Sequence, residues 1–123
     1  MATIAQATTD GKCRALVLSG GSNNGAWETG VIWGLTHYGN PEDFAWDVVS
    51  GVSAGAINTS GIATWPTGTE VAMTEWLSNY WSTMTTHEVW TLRQGSARDL
   101  LFNEPSLLDD NPALATLNDI VSD

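Results

Sequence analysis

Basic residues are scarce in this chain. Four Lys and Arg stand against 14 Asp and Glu, a formal charge of −10 at pH 7. Such a surface repels phosphates, which disfavours nucleic acid as a partner, and it offers no basic patch to draw the chain onto anionic lipid. Cysteine is nearly absent. Cys13 stands alone, which excludes an internal disulfide framework and a thiolate zinc site. No apolar run approaches the ~18 residues of a membrane span. Residues 1–13, MATIAQATTDGKC, lack the basic start and apolar stretch of a secretory signal. Ala5-Gln6-Ala7 does have the small-x-small form of a cleavage site. The compartment therefore stays open between the cytoplasm and a secretory or endomembrane route with a signal preceding Met1. Residues 1–12 are expected to form a flexible polar segment.

What is present is a globular composition. Apolar residues make up 42% of 123, and the mean hydropathy is −0.09. That is too apolar for a disordered chain, and the length allows one domain at most. Seven Trp predict a sizeable core, because Trp is costly to leave exposed.

Along the chain, Cys13 to Leu18 ends in Ala-Leu-Val-Leu and stops at Ser19-Gly20-Gly21. A short apolar run closed by glycines reads as a parallel strand buried on both faces. Gly20 to Gly25 is a loop. Trp27 to Tyr38 has helical spacing, with Trp27, Val31, Leu35 and Tyr38 as its core stripe and Gly39 as its stop. Gly30 and Gly34, four apart on another face, predict close packing against a neighbour. Phe44 to Val49 reads as a second buried strand, and Ala54 to Ala63 as a helix ended by Pro66. Thr67-Gly68-Thr69-Glu70 has the form of a capping box, opening a helix from about Thr69 to Met84. Its apolar stripe is Met73, Trp76, Leu77, Tyr80, Trp81 and Met84. Residues 85–111 have little pattern and read as irregular. Asn111-Pro112 starts a last helix, with Leu114, Leu117 and Val121 as its buried face. Strand, helix, strand, helix, helix is an α/β order with a right-handed crossover between parallel strands. Asn58-Thr59-Ser60 is a formal glycosylation sequon, but it falls in the expected buried helix.

Two motifs carry chemistry. Gly51-Val52-Ser53-Ala54-Gly55 is G-x-S-x-G directly after a strand and directly before a helix. In that setting a nucleophile elbow lifts the serine hydroxyl clear of the chain, and the flanking glycines relieve crowding at the turn. The helix beginning there points N-terminal amides at any oxyanion formed at Ser53. The bland reading is a β-to-α turn with Ser53 as helix cap. The second motif, Gly20-Gly21-Ser22-Asn23-Asn24-Gly25, also joins a strand to a helix. It fails the dinucleotide fingerprint, because Ser22 occupies the third position, and it lacks the Gly-Lys-Ser/Thr of a phosphate loop. An oxyanion hole for Ser53 fits better, since the two loops leave the same ends of neighbouring parallel strands. The alternative from another class is a non-catalytic α/β protein whose Gly-rich loop binds an anionic ligand or a partner.

With these residues the chain resembles the N-terminal half of a patatin-like phospholipase domain. Leu16 to Gly21, then Gly25-Ala26 opening a helix, then Gly51-Val52-Ser53-Ala54-Gly55-Ala56-Ile57-Asn58 carry the likeness. It is close over residues 13–85 and looser after them. The resemblance implies a three-layer α/β/α sandwich with parallel strands and crossover helices. It implies hydrolysis of lipid acyl esters by a Ser–Asp dyad, with a lipid substrate or membrane surface as partner and with neither metal nor cofactor. Ser53 would be the nucleophile. The amides of Gly20, Gly21 and Ser22, with Ala54 N–H beside them, would hold the oxyanion.

The chain departs from the family pattern in three places. Ser22 stands where the family has a third glycine, and Asn24 where it has a basic residue. The catalytic Asp of the family lies in an Asp-Gly-Gly or Asp-Gly-Ala well after the serine. Here Asp99, Asp109, Asp110, Asp119 and Asp123 follow Ser53, and none precedes a glycine. Asp10-Gly11 comes before the first strand, where the family uses none. His37 and His87 suit surface or capping roles better than a triad, whose His comes late in the chain. Serine without a base is a weak nucleophile. Two strands also cannot bury helices on both faces. The expectation is that residues 13–123 form the N-terminal part of such a domain, inactive as they stand.

Overall fold

The computed structural model describes residues 11–40, 43–93 and 108–122. The expectations for Ala5-Gln6-Ala7, Asp10, Asp99 and Asp123 lie outside the described residues. The chain divides into two compact units, Met1–Thr83 and Met84–Asp123.

The first unit holds both chemical motifs. Strand β1 (Ala15–Leu18) leads to helix α1 (Asn24–Tyr38), strand β2 (Val48–Gly51), helix α2 (Ala54–Ala63) and helix α3 (Glu70–Thr83). The strands pair in parallel, with Leu16 opposite Val49 and Leu18 opposite Gly51. This is the α/β order that the sequence predicts. The second strand begins at Val48 rather than Phe44. Phe44 is instead a packing residue: a Cβ on Gly39 would fall 2.2 Å from its ring.

The core lies where α1, α2 and α3 meet one face of the sheet. Leu18, Ile32, Ile62, Met73 and Leu77 are buried there, with Leu16, Trp46, Val49, Trp65, Trp76 and Trp81 packed against them. Side chains alternate across a strand, so Ala15, Val17 and Val48 point to the other face. That face stays open: Val17 is 76% exposed and Val48 51%. The described residues thus cover one face of the sheet with helices, where the resemblance implies a layer on each.

Helix α1 reverses the sequence expectation. Its apolar stripe faces outward, with Trp27 72% and Tyr38 83% exposed, and Val31 and Leu35 also exposed. The buried stripe is Gly25, Glu28, Thr29, Ile32 and Thr36. These positions are also three and four apart, so helical periodicity is satisfied at the opposite phase. Burial of the polar members is offset by hydrogen bonds. Thr36 Oγ1 bonds the Trp33 carbonyl at 3.1 Å and Thr74 Oγ1, on α3, at 3.1 Å. Gly30 and Gly34 do not pack closely either, since a Cβ on each would meet nothing within 4 Å.

The other helices follow their predicted stripes more closely. Met73 and Leu77 of α3 are buried. The start of α3 is not the predicted reciprocal box: Glu70 Oε1 accepts from Gly68 N–H, and Thr69 Oγ1 donates to the Pro66 carbonyl.

In the second unit, a 3-10 turn (Thr86–Glu88) precedes strand β3 (Thr91–Leu92), which pairs antiparallel with strand β4 (Leu108–Asp109). Residues 85–93 are thus more regular than the sequence suggests. Here a capping box does form, between Thr85 and Glu88. Hydrogen bonds from the Thr85 backbone and then its side chain hold the Glu88 carboxyl below its ordinary value, against a small opposing effect of burial. A depressed carboxyl pKa favours the folded turn above the ordinary value, and this preference is lost as pH falls through the lower one. Helix α4 (Asn111–Ser122) starts at the predicted residue. Its buried residue is Ile120, while Leu114 and Val121 of the expected face are exposed.

Candidate active site

Gly51-Val52-Ser53-Ala54-Gly55 joins β2 to α2 without a spacer. Ser53 adopts φ 55°, ψ −121°. A positive φ is unfavourable for a residue bearing a Cβ and persists only where the surroundings hold it. Those surroundings are backbone. A Cβ on Gly55 would lie 2.6 Å from the carbonyl oxygens of Leu18 and Ser19, and one on Gly51 would lie 2.2 Å from the Gly55 carbonyl oxygen. Glycine at both positions lets the turn close against β1. Ser53 precedes α2 but its side chain makes no capping bond, so the bland reading of a capping serine fails. Ser53 is exposed.

The glycine loop comes to the same place. Val52 N–H donates to the Leu18 carbonyl at 3.2 Å, extending the strand pairing to the point where both loops leave the sheet. A Cβ on Gly20 would stand 3.0 Å from Ser53 Cβ and 3.7 Å from its Oγ. Ser22, the family's third glycine position, also has φ 55°. It therefore occupies the backbone region that glycine would enter freely. Asn24 N–H bonds the Gly21 carbonyl at 3.0 Å and Gly25 N–H bonds that of Ser22 at 3.3 Å, which turns the loop directly into α1. Among the described residues, no acceptor takes the N–H of Gly20, Gly21, Ser22 or Ala54. The structure thus brings Gly20, Ser53 and the start of α2 together.

A buried polar cluster lies beneath this surface, and sequence reasoning missed it. Glu28 Oε1 accepts from both Ser19 N–H and Ser19 Oγ, each at 2.9 Å. Asn58, on α2 and wholly buried, donates through Nδ2 to the Gly25 carbonyl at 3.0 Å and to Glu28 Oε2 at 3.3 Å. Its Oδ1 accepts from Trp81 Nε1 at 2.6 Å and from Thr29 Oγ1 at 3.3 Å. A lone Glu on a helix reads as a solvated residue. The available signal was its phase, three residues after Gly25 and four before Ile32.

Among the described residues of the first unit, no base stands beside Ser53 and nothing hydrogen-bonds its Oγ. His37 stacks on Trp33 with ring centroids 4.0 Å apart, bonds the Trp33 carbonyl through Nδ1 at 2.8 Å, and faces Glu75 at 3.5 Å. Asp109, Asp110 and Asp119 belong to the second unit. No group of three or more His, Cys, Asp or Glu among the described residues could hold a metal ion.

A family model described as patatin-like phospholipase matches residues 16–123. The chain belongs to the patatin-like phospholipase family. Neither the curated proteins nor the solved structures gave a match. The patatin-like phospholipases are lipid acyl hydrolases, so hydrolase chemistry in lipid metabolism is the setting of this chain at the family level. The match begins at Leu16 and includes both strand-to-helix loops. It also runs through residues 86–123, where the likeness read from the sequence is loose.

Proposed function

We propose that Ser53 is the nucleophile of a patatin-like lipid acyl ester hydrolase working through an acyl-serine. The observation that carries this reading is the strained, non-capping Ser53 set against Gly20. In the step envisaged, a base takes the Ser53 proton while Oγ attacks the ester carbonyl. The tetrahedral oxyanion then lies among the N–H groups of Gly20, Gly21 and Ser22, with that of Ala54 beside them. Removing one such donor typically costs about 10²–10³-fold in rate. The family's partner to the serine is an Asp. No Asp after Ser53 in this chain precedes a glycine, so these residues alone are proposed to be inactive. No metal or cofactor is required by this chemistry.

The test uses a short-chain nitrophenyl ester and a fluorophosphonate probe on the 123-residue chain beside its Ser53→Ala variant. We expect the two to be equally slow. Robust turnover lost in the variant would overturn the inactivity. A gene product that continues past Asp123 into an Asp-Gly-Gly or Asp-Gly-Ala is expected to label at Ser53. Failure to label there would overturn the hydrolase reading and favour a loop that binds an anionic ligand without turnover.

A further inference from the structure

We infer that Glu28 and Asn58 are positioning residues that set the glycine loop against Ser53. This rests on the reading above that the loop receives the oxyanion. The residue before the loop, Ser19, is gripped twice by Glu28 Oε1. The residue that ends it, Gly25, is gripped at its carbonyl by Asn58 Nδ2. The two grips are joined, because the same Nδ2 also donates to Glu28 Oε2. Both ends of a loop with unclaimed amides are therefore tied to Asn58, one directly and one through Glu28, and Asn58 lies on α2, the helix that follows Ser53. Asn58 is fixed in turn by Trp81 of α3 through its other atom, Oδ1.

The amide of Asn58 has one productive orientation. Its Nδ2 faces two acceptors and its Oδ1 the Trp81 donor, so a flipped side chain would lose these three bonds, and only the Thr29 hydroxyl, which also donates to the Gly25 carbonyl, could serve either orientation. Packing reinforces this. A Cβ on Gly25 would fall 2.4 Å from the Trp81 ring and 3.0 Å from Ala54 Cβ. The start of α1 is thus held between α3 and the start of α2. A shift of about 1 Å in a positioning group can cost on the order of 10²-fold in rate. Elsewhere on the same helices, Thr36 and Thr74 form a buried polar pair that touches neither loop. That pair supplies a control for mere burial.

The experiment follows the hydrogen-bonded backbone amides that frame the loop, those of Ser19, Asn24 and Gly25, by ¹⁵N NMR hydrogen exchange in the 123-residue chain. Glu28→Gln turns one acceptor into a donor facing Asn58 Nδ2. Trp81→Phe removes one donor together with the ring atoms packed against Gly25, so it acts on both the hydrogen bond and the packing that hold the loop. Both are expected to speed exchange or broaden these amides by about tenfold. Thr36→Val should lower the melting temperature and leave the loop amides unmoved. Loop amides unchanged in both Glu28→Gln and Trp81→Phe, or moved equally by Thr36→Val, would overturn the inference. In a gene product that labels at Ser53, the same two variants should slow labelling by about 10–10²-fold with little change in KM for ester. If the loop amides respond but no form of the protein labels, the positioning stands and the hydrolase reading falls.

Discussion

Ser53 carries its strain in a single pair of backbone angles, and that strain can be measured. A non-glycine residue at positive φ costs on the order of 1–3 kcal/mol. Glycine removes this cost but adds roughly 0.5–1 kcal/mol of lost chain entropy. Ser53→Gly is therefore expected to stabilise the fold by about 1 kcal/mol. Ser53→Ala retains a Cβ at φ 55° and is expected to change stability little. Urea unfolding of both variants checks this, and equal midpoints would mean that the turn is not strained. Position 55 is the reverse case. There a side chain would be driven into two carbonyl oxygens 2.6 Å away. G-x-S-x-G was legible from the sequence because each of its residue types answers a local steric demand. The roles of Glu28 and Asn58 were not, because they depend on what other segments bring to them.

At the scale of the element, α1 shows why periodicity fixes a helix but not its rotation. Two stripes alternate around it, one apolar and one polar, both at helical spacing. The apolar stripe loses because Glu28, Thr29 and Thr36 find partners on Ser19 just past β1, on α2 and on α3. Each such bond offsets the cost of burying its polar group. The two glycines of α1 follow from the same rotation. Gly30 and Gly34 meet nothing that a methyl group would disturb. Gly30→Ala and Gly34→Ala are expected to raise stability by up to about 1 kcal/mol each, additively. Thermal unfolding of the single and double variants tests this, and a loss of stability would mean that both faces are packed. Helices α2 and α3 were easier to read. Their small-residue and apolar stripes each have a single phase that suits the core.

Across the first unit, order of elements and the parallel pairing of β1 with β2 were legible and the covering of surfaces was not, while β3 and β4 fall where the sequence reads as irregular. Strand β1 alternates Leu16 and Leu18 inward with Ala15 and Val17 outward, although its apolar run predicts burial on both faces. The Trp content gave the right expectation for Trp46, Trp65, Trp76 and Trp81, which pack on the core, and the wrong one for Trp27. Composition counts such residues but does not say which of them find neighbours. Asn58 has a consequence beyond the site. It heads the sequon Asn58-Thr59-Ser60, and the folded protein leaves it no surface at all. An oligosaccharide could reach it only while the chain is still emerging and unpacked. Once attached, the sugar would prevent α2 from closing on α1 and α3, so a synthetic accident would become a permanent folding block. Produced behind a secretion signal in a host that glycosylates its secreted proteins, the chain should divide into a soluble unmodified form and an insoluble heavier one. Mass spectrometry of the two fractions checks this. A soluble, folded chain with sugar on Asn58 would show that this helix does not pack as described.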